Sequence, residues 1–592
     1  MPRLLHIPLL LAVLITPVFA QTDIDVLYIQ KTPLLNYDAA NGGWPAVGST
    51  VTWNAKVKNW GTVTLPAFTC EWWLDGQKVR TDTVANLAAG EVRNVTFQWV
   101  WQQSPHVLEF RADTGDVVSE VSESNNTHSI TTNALTIGSW VEQSPYDWFH
   151  AHQIELGDGA NSFDNWCYRM VKRWNELNAL AVWPVSPNGI VDRVRIEKVV
   201  VVPDGSLPLN GGLATNNPDR FDKTVDLMWG HPYRASDCQP GGFWQVSATG
   251  PFFIDYGEIH ELNHARYLVD HYGFDVSHDQ TTSNILLTDQ YGNQVAGTSL
   301  MPYSAWNVVY YNKSSDLMGG SNHYGEYAAG AWNRKAGIRG PNGNQNSPSD
   351  IGVYLQDLPQ NNYFRFIDNT GAPLVGATIS VYRATGGTGW YAKYFDNVPD
   401  IVATTDDAGT VNLGRCPFSS TGTVTSTYGL SNATFIIKVS HSGQEYFTFQ
   451  EVSDFGISYW KGNTQAAYYT ILVPWGPANI STPVGPNQWR QEIHANKSVS
   501  NLVDVKALDP NELGGFALRM ADRPISSAVS RDNFSCRFTR DVFLNKGVYK
   551  FIMHTDDGGR LYVDGVNYID DWVDGGVTPR SATVSFDSPA LR

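Results

Sequence analysis

Short runs of alternating apolar and polar residues fill residues 24–135, as in Val51–Val57 and Asn94–Trp99. Successive side chains of a β-strand point to opposite faces of the sheet, so such runs predict strands with one buried face. Turn-forming pairs, Asp75-Gly76 and Ala89-Gly90, separate the runs. The pattern predicts an antiparallel β-sandwich over this part of the chain.

Residues 137–355 show a mixed pattern of helix and strand. Ser162 can cap a helix over residues 163–179, where one stripe of apolar side chains recurs at helical spacing: Phe163, Trp166, Cys167, Met170, Val171, Trp174 and Leu177. Residues 193–202 end in a continuous apolar run, which is typical of a buried strand. A second helix is predicted to begin near Asp255. The segment is therefore predicted to be an α+β domain.

The rest of the chain returns to strand patterns. Alternation resumes over residues 360–475, and a stretch rich in proline, glycine and serine at 476–486 predicts a linker. Residues 487–592 form a further block of predicted strands.

Length and composition agree with this division. The 592 residues predict about four domains. The formal net charge is −17, which excludes general nucleic-acid binding because few phosphates could be neutralised. Aromatic residues make up 12% and charged residues only 17%, so the chain is expected to fold rather than to be disordered.

Residues 1–20 have the parts of a secretory signal peptide. Arg3 precedes an apolar run over residues 4–18, and Ala20 supplies a small side chain before the expected cleavage site. The run is about 15 residues long and holds two prolines, whereas a spanning helix needs about 20. We therefore expect a secreted, extracellular or cell-surface protein with no membrane span in the mature chain.

Five cysteines are scattered along the chain. Cys167 and Cys238 fall in one predicted domain, so they are the expected disulfide in an oxidising compartment. The other three are expected to be buried small residues.

The strongest chemical signal is the segment His260-Glu261-Leu262-Asn263-His264. Residues four apart lie on one face of a helix, so His260 and His264 can converge on one zinc ion. Glu261 lies beside them, where it can take a proton from metal-bound water. The segment predicts a zinc site with Glu261 as general base.

The longer run His260–Tyr272 resembles the extended zinc signature of secreted metallopeptidases of the immune-inhibitor-A and metzincin type. In that pattern the third ligand is His or Asp and follows the second His by six residues, which implies Asp270. Ser315–Gly320 resembles the methionine-turn segment beneath the metal, with Met318 as its methionine. The resemblance implies a zincin-like metallopeptidase fold over residues 137–355.

Tyr267 departs from this pattern, because a glycine usually stands there. An unbroken helix would place Asp270 about 9 Å beyond His264 and on another face, so the helix must end near residues 267–269 for Asp270 to reach the metal. Glycine makes such a turn with positive φ at little cost, and tyrosine does not. His271 is expected to be a surface histidine. Three residues stay open as alternative third ligands: His278, His323 and Glu326.

Three other segments resemble known β-modules. Residues 24–135 resemble the CARDB family, a bacterial immunoglobulin-like module linked to cell adhesion, through Asn59-Trp60-Gly61 and Glu120–Asn126. Residues 360–475 resemble carboxypeptidase regulatory-like sandwiches through Asp368–Tyr382 and Thr405–Gly409. The predicted fold class is thus multidomain, with one α+β zincin-like domain, two immunoglobulin-like sandwiches and one β-barrel.

The barrel rests on residues 487–592, which resemble the protective-antigen fourteen domain through Gly547–Phe551, Asp556–Gly565 and Ile569–Trp572. In lectin members of that family an Asp-Asp pair holds a calcium ion that contacts sugar hydroxyls, which implies Asp556 and Asp557 as candidate calcium and glycan ligands. Other members keep the pair only as a turn. The family's closing strands would follow Phe586, so this domain is expected to be incomplete at its C-terminal end.

Two functions follow from these features. The first is a secreted zinc metalloendopeptidase acting on proteins or peptides, in which His323 or Tyr324 could stabilise the oxyanion and the β-modules hold a cell-surface or extracellular glycan. The second is a non-catalytic surface adhesin or carbohydrate-binding protein with an inactive zincin as scaffold. The intact Glu261 favours the first, because a scaffold needs no general base.

Overall fold

The computed structural model describes residues 21–34, 44–152, 161–207, 222–232, 254–277, 286–288, 309–311, 316–339, 352–388, 392–396, 398–426, 431–518, 525–530 and 533–592. The predicted signal peptide and Cys238 lie outside these ranges. The described chain is multidomain and mostly β, with several separate sheets. Among the described residues, no helix combines the length and apolar character that crossing a membrane requires.

The chain divides into two compact units. The first takes Met1–Arg169, Arg195–Ser206 and His231–Phe253, and the second takes Met170–Val194, Leu207–Gly230 and Ile254–Arg592. The predicted α+β segment is thus shared between the units, whereas residues 360–592 belong to the second.

Seven strands of the first unit form a two-sheet sandwich. They are β1 (Ile24–Thr32), β2 (Thr50–Asn59), β3 (Phe68–Leu74), β4 (Gln77–Val84), β5 (Val92–Val100), β6 (Val107–Arg111) and β7 (Thr127–Thr131). One sheet has the order β1-β2-β5 and the other β4-β3-β6-β7, and all of these pairs are antiparallel. Every second residue of β2 is buried, and Trp53 and Trp72 lie in one core between the sheets. The predicted antiparallel sandwich is confirmed.

The next elements include the long predicted helix. They are β8 (Leu135–Glu142), α1 (Gln143–Ala151), α2 (Phe163–Leu180), β9 (Val194–Val202) and β10 (Leu227–His231). Ser162 Oγ accepts a hydrogen bond of 3.1 Å from the backbone N–H of Asn165, so it caps α2 as predicted. All seven residues of the apolar stripe are buried. The helix and strand predicted here are confirmed.

The candidate chemistry lies on short elements of the second unit. They are α3 (Tyr256–His264), β11 (Val276–Ser277), β12 (Leu286–Thr288), β13 (Val309–Tyr311) and α4 (Glu326–Asn333), with 3₁₀ turns at His271–Phe274, Leu317–Gly319 and Val353–Gln356. Trp174 of α2 packs edge-on against Trp332 of α4, with ring centroids 5.9 Å apart. Aromatic packing of this kind fixes α4 beside the end of α2.

A mixed sheet joins residues on both sides of the predicted boundary at 355–360. The strands that follow are β14 (Asn361–Ile367), β15 (Thr378–Thr388), β16 (Ala392–Asp396), β17 (Ile401–Thr404), β18 (Thr410–Asn412), β19 (Thr434–His441), β20 (Gln444–Glu451) and β21 (Ala466–Leu472), with α5 (Val452–Trp460) before the last. The sheet runs β13-β11-β16-β15-β19-β20, with β12 paired to β16 and β17 to β15. A second sheet has the order β18-β14-β21.

The last block holds nine strands: β22 (Trp489–His494), β23 (Leu502–Leu508), β24 (Ser535–Thr539), β25 (Phe543–Leu544), β26 (Gly547–Thr555), β27 (Gly559–Val563), β28 (Val566–Asp571), β29 (Thr578–Phe586) and β30 (Ala590–Leu591). They form the sheets β23-β22-β24, β25-β30, β26-β29 and β27-β28. In the described residues these strands make four small sheets, which differs from the single barrel that was predicted.

Candidate metal centre

The helix that carries the candidate ligands begins where the sequence predicts. Asp255 Oδ1 accepts a 3.0 Å hydrogen bond from the backbone N–H of Glu258 and so caps α3. Ile259 and Leu262 are buried and anchor one face of the helix. His260, Glu261 and His264 are thereby carried on a short helix whose first turn is fixed.

Tyr267 ends this helix in the left-handed conformation, with φ of 70°. The backbone N–H of Leu268 donates to Asn263 O at 3.4 Å, and that of Tyr267 donates to His264 O at 2.9 Å. These two bonds form a Schellman motif, in which glycine is the usual left-handed residue. A tyrosine there costs about 1–2 kcal/mol. The chain therefore makes the predicted turn without the expected glycine.

The turn brings Asp270 back to the two histidines. Asp270 Oδ1 lies 3.0 Å from His260 Nε2 and 3.2 Å from His264 Nε2. Glu261 Oε2 lies 3.9 Å from His264 Nε2, and potential ligand atoms of His260, Glu261 and His264 all lie within 4.8 Å of one another. The four residues predicted for the metal site therefore meet in one place.

Backbone carbonyls determine which ring nitrogens carry a proton. His260 Nδ1 lies 2.7 Å from Leu317 O, and His264 Nδ1 lies 2.7 Å from Leu268 O. Because a carbonyl oxygen only accepts, both Nδ1 atoms must donate. A neutral ring of this tautomer presents its Nε2 lone pair to the site, as metal-binding histidines do.

The donor set of this site fits a zinc ion. Two Nε2 lone pairs and the Asp270 carboxylate face one another at hydrogen-bond distance, which is repulsive unless protons or a cation lie between them. Two imidazole nitrogens and a carboxylate oxygen are a ligand set that zinc accepts. His260, His264 and Asp270 would hold the ion.

The electrostatics agree with mutual stabilisation of these groups. Burial by itself raises the pKa of Asp270. Without a metal ion, protons on the Nε2 atoms of His260 and His264 take the place of the cation, and their hydrogen bonds to Asp270 outweigh burial and hold that pKa well below its usual range. Burial likewise lowers the pKa of His264, but the hydrogen bond and charge of Asp270 outweigh it and raise that pKa overall. An attractive environment for positive charge therefore exists at the Nε2 atoms.

One side of the site faces solvent. The side chains of His260, Asp270 and Glu261 are 11%, 29% and 49% exposed. A structural zinc site is enclosed by four protein ligands, whereas a catalytic one has three and keeps a position for water. Glu261 lies at the open edge of the site, where solvent can reach it.

The Met318 segment lies under His260. Asp316 Oδ1 accepts a 3.0 Å hydrogen bond from the backbone N–H of Met318, which forms the 3₁₀ turn, and the Met318 side chain is fully buried. The carbonyl of Leu317 in this turn is the one that orients His260. The segment thus supports a candidate ligand directly.

Tyr324 and His323 are placed in the interior rather than at the open edge. The Tyr324 hydroxyl is buried, donates to Asn263 Oδ1 at 3.1 Å and accepts from Trp174 Nε1 at 2.8 Å. It therefore holds α3 from below, which corrects its predicted role as an oxyanion stabiliser. His323 is also buried, and burial lowers its pKa.

The prediction of a surface position is wrong for His271, which is fully buried. Its Nδ1 lies 3.1 Å from Asp316 Oδ1. The 3₁₀ turn that begins at His271 directs this ring inward, toward Asp316. Of the alternative third ligands, His278 lies outside the described residues and Glu326 is buried at the start of α4.

The candidate calcium residues lie at a turn of the last block. Asp557 has φ of 58°, and its backbone N–H donates to Gly575 O at 2.7 Å while its Oδ1 accepts from Gly575 N at 3.0 Å. Burial and then the charge of Asp557 raise the pKa of Asp556. One of the two carboxylates is thus already used to close the turn.

Cys167 is buried in α2, and its predicted partner Cys238 lies outside the described residues. The disulfide stays a prediction.

Comparison with known proteins identifies the first module. The CARDB family model matches residues 37–130, so this part of the chain is a CARDB domain and that prediction is confirmed. No curated protein matches the chain.

Three of the solved structures that match each cover about a fifth of the chain. A CARDB domain from Pyrococcus furiosus, solved in complex with di-metal ions, is 20% identical, and the match covers 19% of this chain and 93% of that chain with a TM-score of 0.16. A cycloisomaltooligosaccharide glucanotransferase from a Paenibacillus species is 15% identical over 21% of this chain and 16% of that one, with a TM-score of 0.14. A β-glucosidase from Listeria innocua is 12% identical over 19% and 16%, with a TM-score of 0.12.

Proposed function

We propose that this protein is a secreted zinc-dependent metalloendopeptidase, with a zincin-like domain over residues 137–355. One observation carries the proposal: Asp270 Oδ1 lies 3.0 and 3.2 Å from two Nε2 atoms whose rings are oriented by backbone carbonyls. A bound zinc ion would polarise the scissile carbonyl and lower the pKa of a water molecule toward about 7.

The chain's own residues supply the remaining chemistry. Glu261 stands at the open edge with its carboxylate 3.9 Å from His264 Nε2, where it can accept a proton from water and pass it to the leaving amine. His260, His264 and Asp270 keep the ligand geometry fixed during the reaction. Tyr324 and Asn263 hold α3 beneath them.

The test compares Glu261→Gln with Glu176→Gln in the cleavage of a generic protein substrate. Glu176 is a matched control because its side chain is also 49% exposed and lies on another helix of the second unit. Losing a general base costs about 10²–10⁴-fold in rate, so Glu261→Gln should lose that much while still binding zinc. Glu176→Gln and the wild type should cleave equally and be inhibited by a chelator. Equal cleavage by Glu261→Gln would refute the proposal.

The alternative function is a non-catalytic surface adhesin or carbohydrate-binding protein. The CARDB domain favours it, because that family is linked to adhesion. The candidate calcium ligands of the last block are Asp556 and Asp557, of which Asp557 also closes the turn through Gly575 N. Glycan-array binding with and without calcium tests it, with Asp557→Ala as the variant. Calcium-dependent binding that this variant loses, together with no proteolysis by the wild type, would favour the adhesin.

Secretion is part of the same proposal and rests on residues 1–20. The partners proposed are a protein or peptide substrate and a cell-surface or extracellular glycan. The cofactors proposed are zinc and, in the last block, calcium.

A further inference from the structure

A chain of three buried polar groups lies beside the candidate metal centre. The hydroxyl of Tyr354 is 3.3 Å from His271 Nε2, and His271 Nδ1 is 3.1 and 3.2 Å from the two carboxylate oxygens of Asp316. All three side chains are at least 98% buried. Burying a polar group costs free energy unless it is hydrogen-bonded, and a fully hydrogen-bonded group of side chains makes its surroundings rigid. We therefore ask what these three side chains hold in place.

The hydrogen bonds run in one consistent direction. The Tyr354 hydroxyl accepts from the backbone N–H of Val269 at 3.0 Å, so its own hydrogen is available to His271 Nε2. His271 Nδ1 then donates to the carboxylate of Asp316. A neutral histidine satisfies both contacts, because one ring nitrogen accepts and the other donates.

These hydrogen-bonded side chains fix the two residues that flank Asp270 in sequence. Val269 precedes Asp270 and is bonded through its backbone to the Tyr354 hydroxyl. His271 follows Asp270 and is bonded through its ring to the same hydroxyl and to Asp316. The two residues flanking the third candidate ligand are therefore tied to one buried group.

Asp316, at the other end of this series of hydrogen bonds, helps to orient His260. Asp316 accepts from the backbone N–H of Met318, and Leu317 between them gives its carbonyl to His260 Nδ1. A Cβ atom added to Gly325 would lie 3.0 Å from Asp316 Oδ2, so the carboxylate has little room to move. One carboxylate thus fixes both the segment that aims His260 and the residue next to Asp270.

We propose that Tyr354, His271 and Asp316 form a brace that sets the distance between Asp270 and His260 for metal binding. They are positioning residues, since none of them is a candidate ligand. The inference rests on the proposed function in one respect, that the site binds zinc. Groups that orient metal ligands typically contribute about 10–100-fold to metal affinity.

The test measures zinc affinity of the full chain by competition with a chromophoric chelator, using zinc alone as the probe. Tyr354→Phe removes only the central hydroxyl, and Asp316→Asn removes the charge at the end of the brace. Tyr327→Phe is the matched control, because Tyr327 is equally buried and packs against His271 with its ring centroid 5.3 Å away. The metal-free thermal midpoint of each variant reports any general loss of stability.

We expect Tyr354→Phe and Asp316→Asn each to weaken zinc binding about 10–100-fold. Tyr327→Phe should bind zinc like the wild type, and its metal-free midpoint should not fall, because the Tyr327 hydroxyl has no hydrogen-bond partner among the described residues. The metal-free midpoint of Tyr354→Phe should be lower, because Val269 N–H and His271 Nε2 lose their partner, and zinc affinity is therefore measured at a temperature where both variants are folded. Unchanged zinc affinity in Tyr354→Phe, with zinc bound by the wild type, would overturn the brace alone. Zinc binding without any proteolysis would overturn the proposed function and leave the brace standing, whereas a wild type that binds no zinc would overturn both.

Discussion

Replacing Tyr267 separates the cost of its backbone conformation from the benefit of its side chain. Tyr267 has φ of 70° yet is buried, with Lys335 Nζ 4.8 Å from its ring centroid and its carbonyl accepting from Gly352 N at 3.0 Å. Tyr267→Ala removes the ring and keeps the strain, so about 3–5 kcal/mol of local stability should be lost. Tyr267→Gly also removes about 1–2 kcal/mol of strain but adds about 0.5–1 kcal/mol of backbone entropy. The glycine variant should therefore be the more stable of the two by up to about 1.5 kcal/mol.

Tyr327 supplies the matched control for this prediction. It is also a buried tyrosine, but it lies inside α4, where glycine is about 1 kcal/mol worse than alanine. The order of the glycine and alanine variants should therefore reverse between the two positions. Hydrogen exchange of peptides from residues 256–277 and 326–333 measures the local opening free energy in each case. A glycine variant less stable than the alanine variant at position 267 would refute the reasoning about strain.

Three further predictions concern charge and pH. Asp270→Asn should weaken zinc binding by more than about 100-fold, measured by chelator competition, and an affinity equal to the wild type would exclude Asp270 as a ligand. Because the pKa of His264 is raised, zinc affinity should fall as the pH drops below that pKa, since the proton competes with the metal. The metal-free protein should instead lose stability as the pH rises through the same pKa. Zinc titrations and denaturant midpoints at pH 6 and 8 check the two directions. Burial raises the pKa of Asp23 to about 7, so its contribution to stability falls as the pH rises from about 4 to 7, and Asp23→Asn should raise the denaturant midpoint at pH 8 but not at pH 4.

The regular elements were predictable because each has a local signal. The stripe from Phe163 to Leu177 gave α2 to within one residue, and Ser162 and Asp255 gave the two helix starts. The four residues of the candidate metal site were also predictable as neighbours, because helical spacing and one family pattern place them together. Those signals depend only on neighbours in sequence.

What the sequence did not reveal depends on distant contacts. His271 was predicted at the surface because its burial depends on contacts with Asp316 and Tyr354. These residues are 45 and 83 positions away, and no local pattern indicates the contacts. Tyr324 carried no sign that Asn263 and Trp174 would take its hydroxyl. The pairing of β11 and β12 with β16 was missed for the same reason, since β11 and β12 are short and lie outside the alternating runs.

The sheet that contains β11, β12 and β16 limits where the chain can be divided into fragments that fold. Ser277 pairs with Ala392, and Leu286–Thr288 pair with Tyr394–Asp396. A fragment ending near residue 355 would leave these short strands with unpaired backbone groups at an open edge, where self-association is favoured. The candidate metal-site segment and the strands that follow it therefore belong in one expressed fragment, because a boundary near residue 355 would separate strands that pair with each other.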